Sequence, residues 1–226
     1  MTGSMATARL LVRHRDGVAE LMPVLRRVAT LDAMALARLR IANGVAVVFV
    51  RLPFGVLVSR SVAHPGAETA DLCVRTADLL DWFDGDDDVP IERRESDWRG
   101  SLPPTTGWQR IETVPDDVIR GLVRSGALAL KDAAAREGVA GAQPRAEVAD
   151  ALLDSIVLSV RQNGGPGAAD LTLRSLSALT RMGFLRRESA AGIDLAGRWT
   201  RIAAEYGSVL VERPGFDLGV SVGPSL

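Results

Sequence analysis

Apolar positions alternate with a period of two in the early part of the chain and recur at spacings of three and four in much of the rest. Residues 8–14 place Leu10, Val12 and His14 on one face and Arg9, Leu11 and Arg13 on the other, as a strand does. Val18, Leu21, Leu25 and Val28 then mark one face of a helix. The fixed φ of Pro23 suits the first turn, so this helix is expected to begin near Glu20 or Leu21. Residues 34–42 and 45–52 flank Asn43-Gly44, a pair that tolerates the positive φ of a two-residue type I′ turn. Pro53-Phe54-Gly55 reverses the chain again, into a stretch where Val56, Val58 and Val62 alternate with Leu57, Ser59 and Ser61. The pattern predicts a three-stranded antiparallel meander, with Val45–Val50, apolar on both faces, placed centrally.

Beyond His64-Pro65-Gly66, Ala70–Arg75 reads as another strand and Thr76 as the cap of a short helix over 77–83. Gly100-Ser101-Leu102-Pro103-Pro104-Thr105-Thr106-Gly107 is the best candidate linker. The remainder of the chain reads as mainly helical. Pro115 suits a first helical position, with Asp116 and Asp117 at the positive end of the dipole and a stripe of Ile119, Leu122, Val123, Leu130 and Ala134 ending at Gly138. Gly121 and Gly126 weaken that helix and mark Ser125-Gly126 as a place for a break. Pro144 opens a second helix carrying Val148, Leu152, Ile156 and Val160, and residues 163–167 form a loop. Asp170 is expected to cap a third helix that stops at Gly183, followed by a strand over 184–188, a turn at 189–192, a less defined segment over 193–206 and a last short strand, Val209–Val211. The expectation is therefore an α+β protein in two parts: 1–102, an antiparallel sheet with two short helices, and 103–226, a mainly helical part with a small wing-like hairpin.

Composition narrows the class. The chain has 226 residues, 47% hydrophobic and 24% charged, with a formal net charge of −1, which excludes a disordered chain. Its 22 Gly and 11 Pro follow no fixed period, which excludes a collagen-like one. Lys131 is the single lysine among 27 basic residues, a bias that a GC-rich genome explains. One cysteine (Cys73) and two histidines (His14, His64) allow neither an internal disulfide nor a zinc cluster, which fits a reducing cytoplasm. No signal peptide or membrane-spanning run is seen, so a soluble protein is expected.

The inventory of reactive groups points away from catalysis. There is no Gly-x-Ser-x-Gly elbow, Cys73 sits in an apolar strand, and Gly164-Gly165-Pro166-Gly167 lacks the Gly-Lys-Ser/Thr of a phosphate loop and follows a helix in this reading. Asp150 and Asp154, at i and i+4, fall on the solvent side of their helix. Residues 78–97 carry nine acidic side chains against Arg93 and Arg94, and Asp84, Asp86, Asp88 and Glu95 occupy the carboxylate positions of a twelve-residue calcium loop. The glycine that such a loop needs at its sixth position is Val89 here, and Pro90 leads away from a second helix. A solvated acidic loop is the expectation, with no metal, no cofactor and no catalytic residue.

Near-neutral net charge conceals segregation. The first 60 residues hold nine arginines against Asp16, Glu20 and Asp32, and residues 171–201 hold six against Glu188 and Asp194. The run from Leu171 through Met182-Gly183-Phe184-Leu185-Arg186-Arg187-Glu188 to Ile193 resembles the end of a winged-helix domain, which implies contact with DNA. The order of elements over residues 8–118 resembles one repeat of a DNA sliding clamp: Arg9–Arg15, the helix at Glu20–Ala29, the meander at 34–63, Val74-Arg75-Thr76-Ala77-Asp78-Leu79-Leu80-Asp81, and the closing Gly100-Ser101-Leu102-Pro103 and Val114-Pro115-Asp116-Asp117. That resemblance implies basic side chains on helices facing DNA, where this chain has Arg26 and Arg27, although a clamp ring needs six repeats and this chain offers one. The expected function is a non-enzymatic intracellular binding or scaffold protein, with nucleic acid as the first partner to test. Arg26, Arg27, Arg174, Arg181, Arg186 and Arg187 are its candidate contacts. The alternative is a protein–protein interaction module, a homodimer, with no nucleic-acid role.

Overall fold

The computed structural model describes residues 19–64, 69–84, 91–136 and 146–213. The strand expected at 8–14, Asp86 and Asp88, Gly138 and Pro144 lie outside the described residues.

Helix α1 (Met22–Leu31) starts as Pro23 requires, with the proline in its first turn, and buries Val24, Leu25 and Val28. Strands β1 (Leu36–Ala42), β2 (Val45–Arg51) and β3 (Leu57–Ala63) form the expected meander. Asn43 and Gly44 both take positive φ, 53° and 76°, as the tight turn demands. Strand β4 (Ala70–Arg75) runs without a break into α2 (Thr76–Asp84). Thr76 is the first residue of that helix, and its buried hydroxyl has no hydrogen-bond partner; its amide donates instead to the Ala35 carbonyl at 2.8 Å.

The second half departs from the helical expectation. It holds β5 (Gln109–Pro115), α3 (Asp116–Arg136), α4 (Ala146–Leu153), β6 (Ile156–Arg161), β7 (Ala168–Thr172), α5 (Leu173–Arg181), β8 (Ala190–Ala196), β9 (Trp199–Ala204) and β10 (Gly207–Glu212). The helix expected through Val148, Leu152, Ile156 and Val160 ends at Leu153 and gives way to a strand. A spacing of four keeps residues on one face of a helix and, being even, on one face of a strand too, so the β-branched Ile156, Val157 and Val160 decide the second half of the run. The loop at Gly164–Gly167 consequently follows a strand and joins β6 to β7. Asp170 lies within β7; the true N-cap of α5 is Thr172, whose hydroxyl accepts from the Ser175 amide at 3.3 Å. The chain over 184–188 is not a strand, and Glu188 there has a φ of 58°. Pro115 closes β5 instead of opening α3. Helix α3 continues through Ser125-Gly126, because Gly126 is where the buried Leu173 side chain of α5 packs against it.

Eight strands make one antiparallel sheet in the order β4-β1-β2-β3-β10-β9-β8-β5, and β6 and β7 pair separately. From either edge the order is the same: a strand that runs into a helix, then a three-strand meander preceded by a helix. The two halves meet where β3 pairs with β10, through Ser59–Ser208, Val58–Val209 and Leu57–Leu210. Helices cover one face of the sheet. Beneath them a single apolar core takes Leu39, Val48 and Val58 from the first half and Leu176, Ile193, Ile202 and Val209 from the second. Trp82 on α2 and Phe184 after α5 fill it, and a Cβ on Gly207 would stand 2.6 Å from the Phe184 ring. Among the described residues, no helix is long and apolar enough to cross a membrane.

Candidate functional site

The six candidate arginines do not share one environment. Arg26 on α1 is exposed and pairs with Asp84 on α2 at 3.1 Å. Arg27, one residue on, lies against Gly183, where its guanidinium occupies the space a side chain would need. Since Gly183 ends α5, this contact joins the basic N-terminal segment to the basic segment near residue 180, more than 150 positions away. Arg181 and Arg187 are exposed on the same stretch, and Arg186 pairs with Glu205 at 2.6 Å. Among the described residues Arg27, Arg181 and Arg187 make no ion pair. Arg174 sits apart at the start of α5, half-buried, donating to Asp154 at 2.6 Å, to Asp150 at 2.8 Å and to the Phe54 carbonyl at 3.3 Å. The bonds to Asp154, then to Asp150, raise its pKa above the ordinary guanidinium value. The face of α4 expected to be merely solvated is thus a carboxylate clamp on Arg174.

The acidic segment is used internally where it is described. Asp84 holds Arg26, while Glu95 accepts from Arg93 at 2.7 Å and from the Cys73 amide at 3.4 Å. Partial burial works against ionisation of Glu95, but the Arg93 bond and the backbone donors outweigh it and keep its pKa below the ordinary carboxylate value. Burial, then the facing Glu95 charge, push the Cys73 thiol up to about 11, so the thiol is inert at neutral pH. Among the described residues no three His, Cys, Asp or Glu side chains are grouped to hold a metal ion.

The face of the sheet away from the helices carries the more organised arrangement, one that no local sequence pattern announces. Residues 91–108 cross this face from the β4 edge to the β5 edge, so the predicted linker is a packed strap: Trp98, Leu102 and Trp108 cover Phe49, Leu57, Trp199 and Leu210. Each end of the strap is fixed on a charged triad with two arginines to one aspartate. At the first, Arg38 makes a paired contact with Asp71 at 2.7 and 3.0 Å, Arg40 reaches the same carboxylate at 3.5 Å, and Trp98 lies 5.9 Å from the Arg38 guanidinium. The Asp71 bond raises the pKa of Arg38. At the second, Arg110 and Arg201 grip the buried Asp194, Arg201 at 2.8 Å, and the Trp108 ring stacks 4.4 Å from Arg201. Gly192 makes this triad possible, because a side chain there would occupy the path of Arg110. Trp108 is further held by its indole N–H, which donates to the Pro104 carbonyl at 3.0 Å. Between the triads the strap and the sheet enclose a groove of about 260 Å³, with Arg40 and Arg201 among its lining residues. Partial signals did exist: Arg38 and Arg40 alternate on one face of β1, and two of the four tryptophans bracket the linker.

Comparison with known proteins agrees with the architecture. A DNA polymerase sliding clamp from Pseudomonas aeruginosa superposes with a TM-score of 0.52 at 14% identity, covering 86% of this chain and 62% of that one. A sliding clamp from Caulobacter crescentus gives 0.51 at 10% identity, covering 92% of this chain and 67% of that one. At such identities the likeness is one of fold, and the chain spans less than two thirds of the length of the Pseudomonas protein. No curated protein matches the sequence. Residues 5–100 match a domain of unknown function, DUF8010. Residues 103–216, half of the chain, match another, and through them the protein belongs to the family described as a domain of unknown function, DUF8185.

Proposed function

We propose that the protein is a non-enzymatic binding scaffold, built from units 1–102 and 103–226 on a sliding-clamp-like fold, that contacts nucleic-acid phosphates through Arg26, Arg27, Arg181, Arg186 and Arg187. The observation that carries this reading is the seating of Arg27 on Gly183, which draws two separate basic segments onto the helix-covered side. Arg174 is left out because two carboxylates, Asp150 and Asp154, hold its largely covered side chain, whereas Arg26 and Arg186 are exposed and each meets a single surface carboxylate. Phosphate contacts are made by guanidinium groups in any sequence context and release counterions. With about four such contacts, affinity for a duplex falls roughly 100-fold between about 50 and 200 mM salt. Fluorescence anisotropy with a labelled 20-base-pair duplex measures this, and the double variant Arg27→Gln/Arg181→Gln is expected to flatten the salt slope by about two contacts. Absence of binding at 50 mM salt, or an unchanged slope in the double variant, removes the proposal.

One observation favours a second reading, a protein–protein module. Leu128 on α3 and Ile156 on β6 are 62% and 58% exposed, and these are the apolar side chains a partner would cover. Light scattering separates the two: a species of 24.1 kDa at every concentration excludes self-association.

A further inference from the structure

The groove on the strapped face is independent of the helix-side arginines and has its own chemistry. Its floor is a trough across the strands: Ser59 lies between Phe49 on β2 and Ser208 on β10, with Ser61 beside it. These are the small residues on a face otherwise lined by Val47, Phe49 and Leu210, and among the described residues their hydroxyls make no hydrogen bond within the protein. One wall is the strap, rigid because it contains Pro103-Pro104 and because Trp108 is fixed both by its indole bond and by its stacking on Arg201.

Electrostatics distinguish this groove from a bare apolar cleft. Arg40 shares the single Asp71 carboxylate with Arg38, and Arg201 shares the single Asp194 carboxylate with Arg110. Each triad therefore carries one uncompensated positive charge, and Arg40 and Arg201 present these charges to the groove from two positions. β1 and β9 are four strand spacings apart, about 19 Å between backbones at ~4.8 Å per spacing, and because Arg40 leans toward Asp71 on β4 and Arg201 toward Asp194 on β8, neither side chain shortens that span. The groove offers about 260 Å³ and is open to solvent along one side, the scale of a small-molecule site.

We propose that this groove is a binding site for an elongated small-molecule dianion, an apolar chain with an acidic group at each end. The apolar chain covers Val47, Phe49 and Leu210, one acid meets Arg40 and the other Arg201, and the serine hydroxyls complete the polar contacts. The triads hold the arginines in place before the ligand arrives, so little ordering is needed on binding.

Decanedioate is a suitable probe, titrated calorimetrically into the full chain, with decanoate, decane-1,10-diol and the peptide Asp-Leu-Phe-Leu-Asp as comparators. The expected result is saturable binding of one decanedioate, at least fivefold weaker binding of decanoate and none of the diol. Arg40→Gln and Arg201→Gln should each weaken decanedioate at least tenfold. Ser59→Leu, which fills the trough and leaves both triads untouched, should abolish binding while the circular dichroism spectrum stays unchanged; it also serves if Arg201→Gln fails to fold. No saturable binding at millimolar decanedioate, equal binding of decanoate, survival of binding in Ser59→Leu, or binding of the peptide in place of decanedioate each overturns the proposal.

Discussion

Helix α3 contains two glycines, Gly121 and Gly126, that sequence alone treats alike and the structure treats oppositely. A methyl group added at Gly121 meets nothing within 4 Å, so Gly121→Ala keeps only the gain in helix propensity, about 0.5–1 kcal/mol. A methyl added at Gly126 falls inside the isobutyl group of Leu173, which is 3% exposed and walled in by the core between α3 and α5. The same propensity gain is then set against overpacking of about 1–3 kcal/mol, and the net effect is a loss of up to ~2 kcal/mol. The two variants should therefore move the midpoint of urea unfolding in opposite directions with an unchanged slope. In thermal melts their separation is several degrees, at ~2–4 °C per kcal/mol for a chain of this size. Leu173→Ala supplies the control: alone it destabilises by cavity formation, but combined with Gly126→Ala it should show a favourable coupling of ~1 kcal/mol or more, because the new methyl enters space the leucine has vacated. If Gly126→Ala stabilises as much as Gly121→Ala, or if the double variant is merely additive, then Leu173 does not fill the notch at Gly126 and the packing argument fails.

Three further outcomes test other parts of the molecule. Asp194→Ala removes a buried carboxylate that takes bonds from both Arg110 and Arg201 and should cost ~1.5–3 kcal/mol in urea unfolding, whereas Asp71→Ala at the 40%-exposed counterpart should cost under ~1 kcal/mol; equal losses would deny the difference in burial. The buried Cys73 thiol ionises only near about 11, while an unfolded thiol does so near ~8.5, so the unfolded state loses its proton first as pH rises. Stability should hold below about pH 8 and fall between ~8.5 and ~11, and the difference between wild type and Cys73→Ala should show that slope; a pH-independent difference refutes it. On the terminal strand β5, the Glu112 side chain takes the Thr113 amide at 2.8 Å and Pro115 has no amide to offer, so Glu112→Val/Pro115→Val should expose a pairing edge and raise the mass seen by light scattering; an unchanged mass refutes that role.

The first half of the fold was legible because its signals are local. Asn43-Gly44, Pro53-Phe54-Gly55 and the alternation on both sides of them fix strands, turns and register together within 30 residues, and Pro23 marks the start of α1. The second half failed where one spacing serves two structures: Leu152, Ile156 and Val160 satisfy the spacing of a helix and of a strand equally, and the β-branched Ile156, Val157 and Val160, pairing across a short loop with β7, decide for the strand. The candidate arginines show the same divide. Their charge was readable, but the removal of Arg174 by Asp150 and Asp154, and the meeting of Arg27 with Gly183, depend on contacts 20 and more than 150 residues apart. The groove was out of reach for the same reason, since its lining comes from β1, β2, β3, β9, β10 and the strap, none of which signals it alone.

The arrangement of the sheet bears on how far the clamp likeness extends. Strand pairing recruits a neighbour only where an edge offers free backbone groups. Here β3 and β10 use theirs on each other, which joins two similar four-strand halves inside one chain. The outer edge of β4 is engaged by the strap, whose Arg94 amide donates to the Cys73 carbonyl at 2.7 Å while Glu95 takes the Cys73 amide and Arg93 reaches the Asp71 carbonyl. The edge of β5 carries a bulge between Arg110 and Glu112, the Glu112–Thr113 contact and Pro115. A ring built by joining sheet edges needs those same groups. The described residues thus combine a clamp-like fold with edges that are already occupied or blunted, which leaves the two faces of the sheet, where the proposed phosphate contacts and the proposed groove ligand would lie, as the surfaces free of strand pairing.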